Sequence, residues 1–153
     1  MSTVAGLPAH ILLNHFVVVL MPLIAILLII CALWPAARQR LVWLVLILAA
    51  LTAVVTPLTV GAGEWLGDRA DQSPELDRHM NFGETGSYFA VALLVAAVLL
   101  AVLHVRLARG HAVQPVVRWV VAVAVIAVAG ATMFQIHRIG ESGARAAWGS
   151  CCQ

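Results

Sequence analysis

Lysine is absent from this chain, and charged residues of every kind make up only 10% of its 153 positions, against about 25% in an ordinary soluble domain. So few charges cannot clothe a water-facing surface, which excludes a soluble enzyme on composition alone. The chain also lacks a Gly-rich phosphate loop, a nucleophile elbow and a Cys-x-x-Cys pair, so the usual signatures of nucleotide, acyl-transfer and thiol-redox chemistry are missing. A formal net charge of +2 argues against a nucleic-acid partner. Three cysteines build no disulfide framework: Cys31 lies in the first apolar run, and Cys151 and Cys152 read as tail thiols. An adjacent Cys pair offers a soft metal only two ligands.

What the sequence has in abundance is apolar length. Hydrophobic residues make up 63% of it, and the mean hydropathy is +1.00. Four apolar runs cover 11–34, 41–63, 86–105 and 116–136, and each meets the roughly 20 residues a helix needs to cross a 30 Å hydrocarbon core. They predict an all-α integral membrane four-helix bundle filling 1–153 as a single transmembrane domain. Its helices are expected at about 8–34, 41–63, 82–105 and 116–138, with an external loop at 64–81 and an external tail at 141–153. The first run is longer than a secretory h-region, and no Lys or Arg precedes it, so it is expected to stay as the first span.

Arginine sets the expected orientation. Arg38, Arg40, Arg106, Arg109 and Arg118 flank the first and third linkers, where no acid occurs. All seven acids (Glu64, Asp68, Asp71, Glu75, Asp77, Glu84 and Glu141) fall in the second linker or around the end of the fourth helix. The positive-inside rule then places the first and third linkers in the cytoplasm and both termini outside. Trp34, Trp43 and Trp119 suit the inner interface, and Trp65 and Trp148 the outer one.

Local signals refine the helices. Pro8 suits a first helical turn, Pro22 a kink inside the first helix, and Pro35 its close. Thr52, Thr56 and Thr59 share one helical face, and such hydroxyls usually bond their own backbone. Gly130 sits among small neighbours and predicts close helix approach. A short helix is expected after Ser73-Pro74. His10/His15 and His79/Glu84 share a five-residue spacing, and Gly63-Glu64 echoes Gly140-Glu141. This hints at two pseudo-repeated hairpins.

The histidines carry the candidate chemistry. His10, His15, His79 and His137 all fall at the outer ends of their helices, as do Glu64, Glu84 and Glu141. His104 and His111 lie at the other end, where a solvated or lipid-facing role is the default. His10 and His15 are about 7.5 Å apart in rise and some 140° apart in direction on an unbroken helix, so each is expected to meet a partner on another helix. His15, the deeper, is expected to face the bundle interior. Three readings follow. His15 with His79 or His137 ligates a b-type haem, with His10 nearby. Alternatively His10, His15, Glu64, His79, Glu84 and Glu141 supply a zinc or copper site. Or His–Glu and His–backbone hydrogen bonds simply lock the bundle end. Intramembrane ionisable residues favour a function for the group as a whole.

"HILLNHF", "GEWLG", "RHMNFG" and "RIGESGARAAW" together resemble the bacterial membrane family called domain of unknown function 2231, over roughly residues 7–148. The first resembles that family's His-Pro-x-x-Val-His-Phe opening, and the second its Thr-Gly-x-x-Asp-Trp segment. The third resembles the family's histidine before helix three, and the fourth its closing Gly-His-x-Gly-Gly-x-x-Val-Tyr stretch. Ile11 departs from the usual proline. Glu141 stands where many members have histidine, so a haem ligand there would require His137, one turn earlier, to substitute. Members are sometimes joined to Rieske-type iron–sulfur domains. The resemblance therefore implies a multi-pass protein of the bacterial plasma membrane, working in electron transfer through haem b or quinone with a Rieske-type or other redox partner. The alternatives are a transition-metal-binding or transporting protein, and a structural subunit of a larger complex or homo-oligomer. Catalytic residues are not identifiable from the sequence.

Overall fold

The computed structural model describes residues 3–4, 7–69 and 73–148, with side chains from Leu13 onward except that of Ala147. Strand β1 (Thr3–Val4) pairs antiparallel with β2 (Leu7–Pro8). Four helices follow: α1 (Ala9–Leu33), α2 (Pro35–Gly67), α3 (Pro74–Ala108) and α4 (Pro115–Trp148). Each is long and apolar enough to cross a membrane.

Proline punctuates this fold differently from expectation. Pro35 does not close α1 but opens α2, as Pro74 opens α3 and Pro115 opens α4. The missing N–H of proline costs nothing in a first turn, and its fixed φ is already helical. Trp34 alone, extended at φ −119° and ψ 104°, separates α1 from α2. Arg38 and Arg40 therefore ride on the first turns of α2 rather than in a linker. α1 itself continues through Pro22.

The helices also outrun their apolar segments at the other end. α2 reaches Gly67 and α3 begins at Pro74, so most of the expected loop 64–81 is helical. Ser73 caps α3, its hydroxyl accepting the Leu76 N–H at 3.2 Å, and Glu75 and Asp77 occupy the first turn, where the helix dipole favours acids. α4 runs to Trp148, well into the expected tail, with Arg145 bonded to Glu141 one turn earlier at 2.6 Å. Hydropathy marks where a helix meets hydrocarbon, not where it ends, and polar turns beyond that level carry no apolar signal. α2, α3 and α4 have 33, 35 and 34 residues, about 50 Å of helix against a hydrocarbon core of roughly 30 Å. Asp71, Cys151 and Cys152 lie outside the described residues.

Each helix buries a seam that alternates steps of three and four residues. In α1 it is Val17, Met21, Ile24, Leu28 and Cys31, and in α2 Val42, Val45, Ala49, Thr52, Thr56 and Thr59. In α3 the seam is Gly86, Ala90, Leu93, Ala97 and Leu100, and in α4 Val125, Ala129, Thr132, Ile136 and Ile139. This 3.5-residue repeat is the packing code of up-and-down bundles. α1 and α3 each pack against both α2 and α4, and α1 also meets α3 across the centre. The starts of α1 and α3 thus share one end with the finishes of α2 and α4. That end carries the acids, and the opposite end is the arginine end.

Two of the three threonines on the α2 seam bond their own backbone as expected. Thr56 donates to the Thr52 carbonyl at 2.7 Å and Thr59 to that of Val55 at 2.9 Å. The Thr52 hydroxyl is the one fully buried side-chain polar atom without a partner among the described residues. Gly130 corrects its expectation. It faces outward with open space where a Cβ would stand, and alanines such as Ala90, Ala97 and Ala129 supply the close packing instead.

Candidate functional site

At the acidic end the four seams part around a cavity of about 280 Å³. Val17, Met21, Leu66, Met80, Ile136 and Ile139 are among its apolar walls, and all four helices contribute. Its polar lining is sparse: Asn14 from α1, Thr56, Thr59 and Glu64 from α2, and His79 and Glu84 from α3. An apolar chamber with a few convergent polar groups is the usual form of a small-molecule site.

His79 is the best-defined group there. Half-buried on α3, its Nδ1 lies 3.1 Å from the Ser142 hydroxyl of α4. That hydroxyl donates its single proton to the Ile139 carbonyl at 2.9 Å, so it accepts from the ring. A neutral His79 bonded in this way carries its proton on Nδ1. A hydrogen bond from one ring nitrogen to a fixed hydroxyl sets the tautomer and orientation of an imidazole. The fit is close. A Cβ at Gly143 would stand 2.9 Å from His79 Cε1, and one at Gly67 would stand 2.7 Å from Met80 Sδ. Glycine at these two positions lets α4 and α2 pass α3 at the cavity wall.

The other candidates are distributed differently. Glu64 and Glu84 line the cavity with His79. His15 is exposed rather than facing the interior, and Asn14 beside it lines the cavity instead. One helical residue is 100° of rotation, and Asn14 rather than His15 continues the Val17–Met21 seam. His137 is exposed as well. Glu141, paired with Arg145, belongs to a separate polar cleft with Arg78 and Arg138. The side chain of His10 lies outside the described residues. His104 packs edge-on to Trp43 at 6.3 Å and His111 is exposed, both at the arginine end. Of the histidines with described side chains, His79 alone lines the cavity. Among the described residues no three His, Cys, Asp or Glu side chains gather closely enough to hold one metal ion.

Ser142 and Gly143 are not among the sequence candidates, and Asn14, a polar interruption of the first apolar run, is not among the expected ligands. Ser142 follows Glu141 directly and stands three residues after the seam residue Ile139, so it falls beside the seam of α4, and that spacing is the signal that could have marked it. A further cross-helix bond, Gln135 Nε2 to Thr85 Oγ1 at 2.6 Å, ties α4 to α3 close to the cavity. Compared with protein-family models, curated proteins and solved structures, the chain matches none.

Proposed function

We propose that this chain is a membrane-spanning redox protein that binds a quinone-class molecule in the cavity at the acidic end of its bundle. The observation that carries this reading is the cavity's composition: apolar walls from four helices, one oriented imidazole, one amide and two carboxylates. A quinone ring needs apolar walls for its faces and donors for its two carbonyl oxygens. Asn14 offers an amide N–H, and a protonated His79 a ring N–H. Glu64 and Glu84 can exchange the two protons that accompany two-electron reduction to the quinol. The electrons come from a partner redox protein.

Depth supports the same ligand. Thr56 and Glu64 lie about 27 Å and 39 Å along α2 from Arg38. A hydrocarbon layer of roughly 30 Å whose inner edge sat near the arginines would end at the level of the cavity. A quinone would place its head at that edge and its tail in lipid. A bis-imidazole haem fits less well, because only His79 among the described imidazoles reaches the cavity, and its volume lies at the small end of ligand sites, which run from about 300 Å³ upward. The arginine bias supports an arrangement with both termini outside the cytoplasm.

The test is to purify the protein in detergent, extract it for co-purifying quinone, and record reduced-minus-oxidised spectra with metal analysis on the same sample. Extracted quinone in stoichiometric amount supports the reading. A Soret band that shifts on reduction would replace it with haem, and stoichiometric zinc or copper with a metal site. A sample blank in all three, and unresponsive to added quinone, would leave a structural subunit.

A further inference from the structure

The arginine end holds an arrangement that the quinone reading leaves unused. α2 and α4 both begin there, and their first turns line a cavity of about 310 Å³ that includes Pro35, Arg38, Pro115, Arg118 and Trp119. Arg38 is only 6% exposed, yet its guanidinium makes a single hydrogen bond, Nη1 to the Cys31 carbonyl at 3.5 Å. Guanidinium carries five N–H donors and does not lose its proton, and a buried charge without a counter-charge is costly. No carboxylate stands near it among the described residues. The acids occupy positions 64–84 and 141, and Glu64 on the same helix is about 39 Å away along the axis. The charged group that shares the cavity with Arg38 is Arg118, of the same sign. The start of α2 adds more positive potential, because its N-cap residue Trp34 makes no side-chain capping bond to the first-turn N–H groups.

We propose that this cavity binds a phosphate-bearing anion between Arg38, Arg118 and the first turns of α2 and α4. A phosphate oxygen set matches guanidinium forks and helix N-termini alike. Leu33, Ala32 and Ala122 give the cavity an apolar side, which suits a phosphodiester whose acyl chains run down the bundle. Anionic lipids populate the cytoplasmic leaflet, where the arginine bias directs this end. α2 and α4 lie on the diagonal of the bundle without substantial direct packing, so the anion bridges two helix starts otherwise joined mainly through α1 and α3.

The experiment uses delipidated full-length protein in neutral detergent and reads thermal unfolding and ligand retention in native mass spectrometry. The probes are inorganic phosphate, short-chain phosphatidylglycerol and short-chain phosphatidylcholine. Phosphatidylglycerol is expected to raise the melting temperature and to be retained, and phosphatidylcholine is not. A matching rise with inorganic phosphate would identify the free anion as a sufficient occupant. A rise with phosphatidylglycerol alone would identify the lipid headgroup. Arg118→Gln, at an exposed position, is expected to weaken retention about tenfold. Arg38→Leu is expected to abolish the ligand-induced shift while the ligand-free protein melts no lower than wild type, because the uncompensated buried cation is gone. If that variant fails to fold, Arg118→Gln still decides. Equal responses to phosphate, phosphatidylglycerol and phosphatidylcholine would overturn the proposal, as would wild-type retention in Arg118→Gln.

Discussion

Ser142 on α4 accepts the Nδ1–H of His79 on α3 across 63 positions of sequence, at 3.1 Å, while donating its own proton to the Ile139 carbonyl. This two-bond chain orients the one described imidazole in the acidic-end cavity, and it gives the site a specific weak point. Ser142→Ala is expected to cost about 1 kcal/mol of stability and to weaken quinone binding. In a His79→Ala background the same change is expected to have little further effect on binding. A double-mutant cycle measures this, and fully additive effects on binding would mean that Ser142 does not act through His79.

Gly143 tests the same ring by steric means. A Cβ there would stand 2.9 Å from His79 Cε1 and 3.2 Å from Nδ1, so Gly143→Ala is expected to displace the imidazole and weaken ligand binding. Gly140→Ala, a turn away with nothing within 4 Å, is the control. It is expected to leave binding unchanged and to raise helix stability by up to about 1 kcal/mol. Equal binding by the two variants would remove the steric argument.

Thr52 supplies a prediction about the core. Its hydroxyl is buried without a partner, whereas Thr56 and Thr59 bond the backbone of the preceding turn. Thr52→Val removes the unsatisfied oxygen at nearly constant shape and is expected to stabilise the bundle by about 1 kcal/mol. Thr56→Val is expected to destabilise it or leave it unchanged. Thermal unfolding of both variants in the same detergent gives the comparison.

Orientation is open to labelling. With Cys151 and Cys152 replaced by Ser, and Cys31 buried in the seam, a cysteine at Asp68 is expected to react with an impermeant thiol reagent in intact cells. A cysteine at Arg109 is expected to react only after lysis. The opposite pattern would invert the bundle and move the cavity to the cytoplasmic side.

The four spans were legible because an unbroken apolar run of membrane length has few alternatives. The rotation of each span was much harder to read. When every face of α1 is apolar, no polar stripe marks the outside, so the step from Asn14 to His15 separates cavity from surface with no sign in the sequence. α2 was the exception, since Thr52, Thr56 and Thr59 drew its inner face in polar atoms. The helical extensions beyond the apolar runs carried weaker signals: Pro35 read as a stop when it was a start, and Ser73-Pro74 with Glu75 and Asp77 marked the true beginning of α3. The mirrored Gly63-Glu64 and Gly140-Glu141 pairs have different surroundings, because Glu64 lines the cavity while Glu141 pairs with Arg145.

The most direct test of the central claim is the binding isotherm of a short-tailed quinone to the purified protein, measured for wild type, His79→Ala and His137→Ala. The wild type and the exposed-residue variant His137→Ala are expected to bind one equivalent with the same affinity, and His79→Ala about tenfold or more weakly, the loss of roughly one charge-assisted hydrogen bond. No saturable binding by the wild type, or equal binding by all three proteins, would contradict the account.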